Sequence, residues 1–170
     1  MTWLTRRALR GLIMMVALLG ASSLSMASKF IRADVPTLRQ MSESVVHART
    51  IRMESAWGAE GRMIYTYVTL RVIKTLHGTP SDEIIVRVPG GTVDGYTVKM
   101  DGAPEFRVGQ AVVAFISQWN DGTPMVAGYF QGLSTVVRDN AGNQMLRGGA
   151  ADGRSIGQLA KQLARGGDEQ

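Results

Sequence analysis

Residues 62–78, with the sequence RMIYTYVTLRVIKTLHG, form the longest strand-like run of the chain outside residues 1–27. Two sets of side chains alternate along this run: Ile64, Val68, Leu70 and Val72 against Tyr65, Tyr67, Thr69 and Arg71. Because successive side chains of a strand point to opposite faces, the alternation predicts a buried inner face and a more polar outer face. We therefore expect a small β-domain built around one long central strand.

The amino-terminal segment, residues 1–27, has the three parts of an export signal. Arg6, Arg7 and Arg10 form a positive segment, residues 11–21 (GLIMMVALLGA) form an apolar one, and SMA at 25–27 is a small-x-small cleavage site. An apolar run this short does not cross a hydrocarbon core, which needs about 20 residues. We predict a signal peptide over residues 1–27, cleavage after Ala27, and an extracytoplasmic protein, periplasmic or secreted, without a stable membrane anchor.

Removal of the signal peptide changes the charge and length of the chain. The full sequence has 19 Lys and Arg against 14 Asp and Glu, and residues 1–27 hold three of the basic residues and no acidic one, which leaves 16 against 14. A nearly neutral protein lacks the basic surface of a nucleic-acid binder, so we predict no nucleic-acid partner. Residues 28–170 contain no cysteine, and a chain of this length is expected to fold as one domain by burial alone.

Turn signals divide the rest of the chain into short strands flanked by two helices. We predict a helix over residues 36–43, strands over 44–57, 62–78, 82–89, a weak 92–100, 110–119 and 125–130, and a hairpin of 133–138 with 143–146. The sequence Asn120-Asp121-Gly122 predicts the tight turn that makes 125–130 antiparallel to 110–119. A flexible connector at 147–153, a helix at 154–166 and a tail at 167–170 complete the chain.

This arrangement predicts a mainly β fold. Short strands at turn-punctuated intervals, without βαβ alternation, are typical of antiparallel barrels and sandwiches. We expect an OB-like barrel of about five to seven antiparallel strands in residues 28–146, with a short N-terminal helix and a C-terminal amphipathic helix. The C-terminal helix either packs on the barrel, frays or serves as a contact for a partner.

The residue types argue against most enzyme chemistries. Nucleophilic catalysis needs a nucleophile beside a base, but the chain has no cysteine, no Gly-x-Ser-x-Gly segment, and two histidines, His47 and His77. Histidines this far apart, without cysteines, have no zinc-ligand spacing. We therefore predict a protein that is not an enzyme and has no cofactor or metal. One alternative is a secreted hydrolase that uses two carboxylates, although nothing in the spacing selects a pair from Glu54, Glu60, Asp94, Asp101 and Glu105.

The outer face of the central strand is the feature with binding character. Tyr65 and Tyr67 stand two residues apart, Arg71 lies beyond them, and Trp57 is predicted nearby across the hairpin. Aromatic residues with arginine are favoured at contact surfaces. We therefore predict a binding module for an extracytoplasmic protein or ligand, with these four residues as its site. The alternatives are an oligosaccharide-binding OB-fold and tyrosines half-buried under the N-terminal helix.

Residues 44–117 resemble the netrin-type module of the tissue inhibitors of metalloproteinases. The resemblance lies in the segments SVVHARTIRME, YTYVTLRVIKTLHG, DEIIVRVPGG and EFRVGQAVVAFI. The chain also resembles a set of uncharacterised exported bacterial proteins that share Pro-Gly-Gly, an Ala-Pro-x-Phe turn at 103–106 and a Gly-x-x-Gln-Gly segment, here around GYFQG at 128–132. The resemblance implies an OB-like barrel. The inhibitors act through an amino-terminal cysteine that this chain lacks, so their mechanism and functional residues do not carry over.

Overall fold

The computed structural model of the protein describes residues 32–79 and 81–165. The predicted signal peptide and the predicted tail lie outside these ranges. Within them the fold is mainly β, with an antiparallel sheet, one short helix before it and a second helix after it, as the sequence predicts. No helix in these ranges is long and apolar enough to cross a membrane.

The elements follow the predicted order closely. They are α1 (Val35–Gln40), β1 (Ser44–Trp57), β2 (Ile64–His77), β3 (Glu83–Pro89), β4 (Gly91–Val93), β5 (Tyr96–Val98), β6 (Ala111–Gln118), β7 (Pro124–Val126), a 3-10 helix (Tyr129–Gly132), β8 (Leu133–Arg138), β9 (Gln144–Arg147) and α2 (Ile156–Arg165).

Two predicted strands differ from the structure. The weak strand at 92–100 is a separate hairpin, β4–β5, which turns at Asp94 and Gly95 with φ of 48° and 82°. The strand predicted over 125–130 ends at Val126, and the 3-10 helix follows it after Gly128 at φ 64°. In both places a residue with positive φ interrupts the extended backbone that the side-chain pattern predicts.

The main sheet has seven strands, all paired antiparallel. Six of them follow the order β3-β2-β1-β6-β8-β9, and β7 pairs with β6 beside this path. The sheet curls until β3 and β7 lie next to each other, but no strand ladder joins them in the described part of the chain. The predicted antiparallel fold of five to seven strands is therefore confirmed, but the barrel is not closed. β7 has three residues and begins with Pro124, which has no N–H for a ladder, so this edge of the sheet cannot complete a regular pairing.

The curled sheet has a core on each side. The inner core includes Val68 and Leu70 of β2, both fully buried, and Val72 packs against it, which confirms the predicted inner face. The second core lies between β1, β6 and the two helices, where Val45, Val113 and Phe115 meet Leu38 of α1 and Leu159 and Leu163 of α2. β6 and the first half of β1 are therefore buried on both faces.

Both helices are capped by their own sequence. The Thr37 amide donates to Asp34 Oδ1 at 2.9 Å at the start of α1. At the start of α2, the Gln158 amide donates to Ser155 Oγ, and the Ser155 amide donates to Gln158 Oε1. This reciprocal pair is a capping box.

Residues 147–153, predicted as a connector, contain the fully buried Ala151. The Ala150 amide donates to the Gln131 carbonyl, which joins this segment to the 3-10 helix.

Candidate binding surface

Three of the four predicted site residues share the outer face, which we define as the surface of β1, β2 and β3 that points away from the inner core. Tyr65 and Tyr67 are half-buried on this face of β2, and Arg71 is exposed further along it. The alternative prediction was that the N-terminal helix covers the tyrosines, but the apolar side of α1 packs on Val45 and Phe115. The ring of Tyr65 lies against the β1–β2 turn, since a Cβ added to Gly58 would be 2.8 Å from its Cε2 atom.

Trp57 lies on the opposite side of the sheet from the two tyrosines. Its register partner on β2 is Ile64, whereas Ala56 faces Tyr65. Directly opposed residues of an antiparallel pair share a face, so a shift of one position moves a side chain to the other side. The Trp57 ring instead meets Tyr96 of β5, with ring centroids 6.0 Å apart and the planes tilted by 59°.

Arg87 of β3 contacts several other residues of the outer face. It stands directly opposite Tyr67 across the β2–β3 ladder. Its guanidinium carbon lies 5.0 Å from the centroid of the Tyr65 ring and 5.3 Å from that of Trp119. A planar guanidinium is well suited to stacking between two aromatic faces, which attract its positive charge. The stacking fixes the orientation of a long side chain that an exposed strand would leave free.

Asp121 completes this arrangement from the β6–β7 turn. Arg87 Nη1 donates to its Oδ2 at 2.8 Å, and the Thr123 amide donates to its Oδ1 at 3.0 Å. The bond from the Thr123 amide, followed by that from Arg87, lowers the pKa of Asp121 to about 2. The carboxylate is therefore ionised at neutral pH, and it holds Arg87 in place while the Arg87 side chain stays 17% exposed.

A pocket opens beside this cluster. Its volume is about 350 Å³, and it is lined by the β1–β2 turn and by Tyr65, Tyr67, Arg87 and Asp121. Arg62 and Glu60 of the turn also line it. The site thus offers aromatic faces, an oriented guanidinium and exposed charges in one place. Such combinations are typical of contact surfaces.

The far end of the outer face carries two arginines. Arg49 of β1 and Arg71 of β2 are directly opposed in the ladder, and Glu83 of β3 is the next residue across. Across residues 32–79 and 81–165, the ion pairs are Arg52–Glu54 and Arg87–Asp121, so neither arginine of the opposed pair is in one. Arg49 donates to the Gly109 carbonyl at 2.8 Å. Like charges directly opposite each other destabilise a sheet. An anionic group bound at this pair would reduce the repulsion between the two arginines.

The sequence pattern missed Arg87, Trp119 and Asp121 as members of this surface. Arg87 lies within the strand predicted over 82–89, and Asp121 belongs to the tight turn predicted at 120–122. What brings them together is the curl of the sheet, which places the β6–β7 turn beside β3. No local pattern in either segment reports that contact.

The candidate carboxylates divide into two groups in different parts of the fold. Glu54 pairs with Arg52 on the outer face, and Glu60 lines the pocket there. Asp94 is exposed in the β4–β5 turn, and Asp101 and Glu105 are exposed on the loop after β5.

Comparisons of the chain with family models, curated proteins and solved structures found no match.

Proposed function

We propose that the protein is an exported, non-enzymatic binding module that contacts an acidic segment of an extracytoplasmic protein through the outer face. The observation that carries this proposal is the Arg87 clamp, in which the guanidinium is stacked by Tyr65 and Trp119 and paired with Asp121. A side chain held in advance loses little entropy on binding. Arginine and tyrosine are also the residues that most often carry binding energy in protein interfaces.

Three other residues of the outer face define the chemistry of the partner. Ile85 lies on the outer face between Arg87 and Glu83 and is 49% exposed, which favours a protein surface over a sugar. The opposed Arg49 and Arg71 favour an acidic segment, because a partner carboxylate relieves their mutual repulsion. The partner therefore presents an apolar side chain flanked by Asp or Glu.

The test is chemical cross-linking in extracytoplasmic fractions, followed by recovery of the tagged chain. Wild type is compared with Arg87→Ala and with Tyr65→Ala/Tyr67→Ala, and Tyr96→Ala serves as the matched control because Tyr96 is 67% exposed on the separate β4–β5 hairpin. We expect wild type and Tyr96→Ala to recover the same partner and the other two variants to lose it. Equal recovery by all four proteins, at equal thermal stability, would contradict the site assignment.

Export is tested separately from binding. We expect the protein in the extracytoplasmic fraction to begin at Ser28, since the SMA segment at 25–27 is the predicted cleavage site. Mass spectrometry of the amino-terminal peptide makes the measurement. A chain that keeps Met1 and stays in the cytoplasm would contradict the export proposal without affecting the test of the outer face.

A further inference from the structure

A second cavity lies on the inner side of the sheet, away from the outer face. Its volume is about 530 Å³. One wall is the inner face of β1, β2 and β3, from which Met53, Thr66, Val68 and Val88 face it. The other wall is residues 98–107, the end of β5 and the loop that follows it. Cavities of this size at the mouth of a curved sheet are common places for small ligands.

Two short motifs of the sequence, first Pro-Gly-Gly and second Ala-Pro-x-Phe, meet at this cavity. Pro89, Gly90 and Gly91 line one side of it, and Ala103, Pro104, Glu105 and Phe106 line the other. A strand and a loop that are distant in sequence thus form a single rim.

Glycine is required where the first motif crosses the sheet. Gly91 has φ of 139°, and a Cβ there would be 2.4 Å from Ser55 Oγ and 2.5 Å from Thr66 Oγ1. Thr66 Oγ1 donates to the Gly90 carbonyl at 2.8 Å, and the two hydroxyl oxygens are 3.0 Å apart. Because Thr66 gives its proton to Gly90, Ser55 is the donor to Thr66. This chain of bonds holds the first motif in place along the cavity.

The opposite wall is also held in place. Pro104 and Phe106 are buried, and the Phe130 amide of the 3-10 helix donates to the Gly102 carbonyl at 3.0 Å. The space is therefore bounded by fixed walls on both sides, which is the condition for a pre-formed ligand site.

The lining is apolar inside and balanced in charge at the rim. The apolar lining residues that keep accessible surface are Met53, Val98, Met100 and Ala103, whereas Val68, Val88 and Phe106 are almost fully buried. The charged residues of the rim are two basic and two acidic ones: Lys99, Arg107, Asp101 and Glu105. A rim without net charge gives no electrostatic preference to an anion or a cation.

From these features we propose that the cavity binds a small, uncharged amphipathic molecule, with its apolar part on Met53, Met100 and Ala103 and its polar part at the rim. The site is independent of the outer face, because the two lie on opposite sides of the sheet. A ligand here and a protein on the outer face can be bound at the same time.

The experiment is a fluorescence titration of the full chain with N-phenylnaphthylamine, a neutral apolar probe. Two variants fill the cavity from opposite walls, Met53→Trp and Ala103→Trp, because both residues are half-buried and line it. Met41→Trp adds the same side chain outside the cavity, at the end of α1, where Met41 is 52% exposed. Every protein keeps the same apolar residues 11–21, so differences between them report the cavity.

We expect saturable binding by wild type and Met41→Trp, and a loss of affinity of about tenfold or more in both filled variants. Far-ultraviolet circular dichroism and thermal unfolding confirm that the variants are folded. Absence of saturable binding by wild type, or unchanged affinity in the two folded filled variants, would overturn the site. Tighter and equally filling-sensitive binding of the anionic probe anilinonaphthalene sulfonate would overturn the uncharged ligand class.

Discussion

Gly91 shows how a single residue shapes the inner cavity. Its backbone is in a region that side-chain-bearing residues avoid, and the Ser55 and Thr66 hydroxyls occupy the place of a Cβ. We predict that Gly91→Ala lowers the free energy of unfolding by about 2 kcal/mol, because the methyl group has to displace the hydroxyl pair. Urea unfolding of the variant and wild type measures the loss.

Gly95 provides the matched control for this prediction. It has φ of 82°, but a Cβ at this position meets nothing within 4 Å. Gly95→Ala therefore carries the backbone cost alone, about 1 kcal/mol. Equal losses from the two substitutions would mean that the close approach at Gly91 is not what requires glycine there.

His47 makes the stability of the protein depend on pH. It is 7% exposed on β1, its Nε2 has no hydrogen-bond partner in the described part of the chain, and its ladder neighbours are Lys74 and Val113. Burial first, and then the charge of Arg49, lower the pKa of His47 below its ordinary value of 6.5. The unfolded chain therefore binds more protons than the folded one between the two pKa values, so stability falls as pH falls through this window.

We predict that this loss is absent in His47→Gln. Chemical unfolding between about pH 7.5 and about pH 5.5 covers the titration of a histidine. Wild type loses stability relative to His47→Gln on acidification, because only wild type carries the buried imidazole. A constant difference between wild type and His47→Gln across this range would contradict the assignment.

At the scale of the element, α2 is part of the folded domain. Leu159 is fully buried and Leu163 is 1% exposed, and both pack in the core that includes Val113 and Phe115. We predict that Leu159→Ala lowers the free energy of unfolding by about 3 kcal/mol, because it leaves a cavity between the helix and the sheet. The exposed Lys161 is the control, and Lys161→Ala is expected to change it by less than about 0.5 kcal/mol.

Hydrogen exchange tests the same point without a substitution. If α2 frays from the sheet, its amides exchange far faster than those of β6, and Leu159→Ala costs little. Comparable protection of the two elements is the result that the packing of Leu159 predicts.

The elements were readable from the sequence where one physical signal dominates. Alternation over 64–72 predicted β2 and its buried face, and the β1 limits match because turn residues flank that strand. The periodicity of apolar side chains does not reveal where the backbone takes a positive φ. The β4–β5 hairpin and the 3-10 helix were therefore missed, because they depend on such residues at Asp94 and Gly128. Trp57 was placed near the tyrosines because ladder register cannot be read from one strand, and the structure pairs it with Ile64.

At the scale of the whole molecule, one feature accounts for both candidate sites and for the barrel that is not closed. The sheet curls far enough to bring the β6–β7 turn to β3, and the side chains of Arg87, Trp119 and Asp121, rather than a strand ladder, join the two. The degree of curl depends on twist accumulated over many strands. A sequence pattern predicts the individual strands but not their accumulated twist. Neither the Arg87 clamp nor the inner cavity could therefore be predicted.

The proposed function requires that the clamped Arg87 contacts the acidic protein partner. Its direct measurement is the dissociation constant of the cross-linked partner, once purified, for wild type, Arg87→Ala and Arg107→Ala, the last being an exposed arginine on the rim of the inner cavity. We predict that Arg87→Ala weakens binding by about tenfold or more and that Arg107→Ala leaves it unchanged. Binding of the wild type should also weaken between about 50 mM and about 300 mM salt. Equal affinity of all three proteins, or affinity independent of salt, would contradict the account.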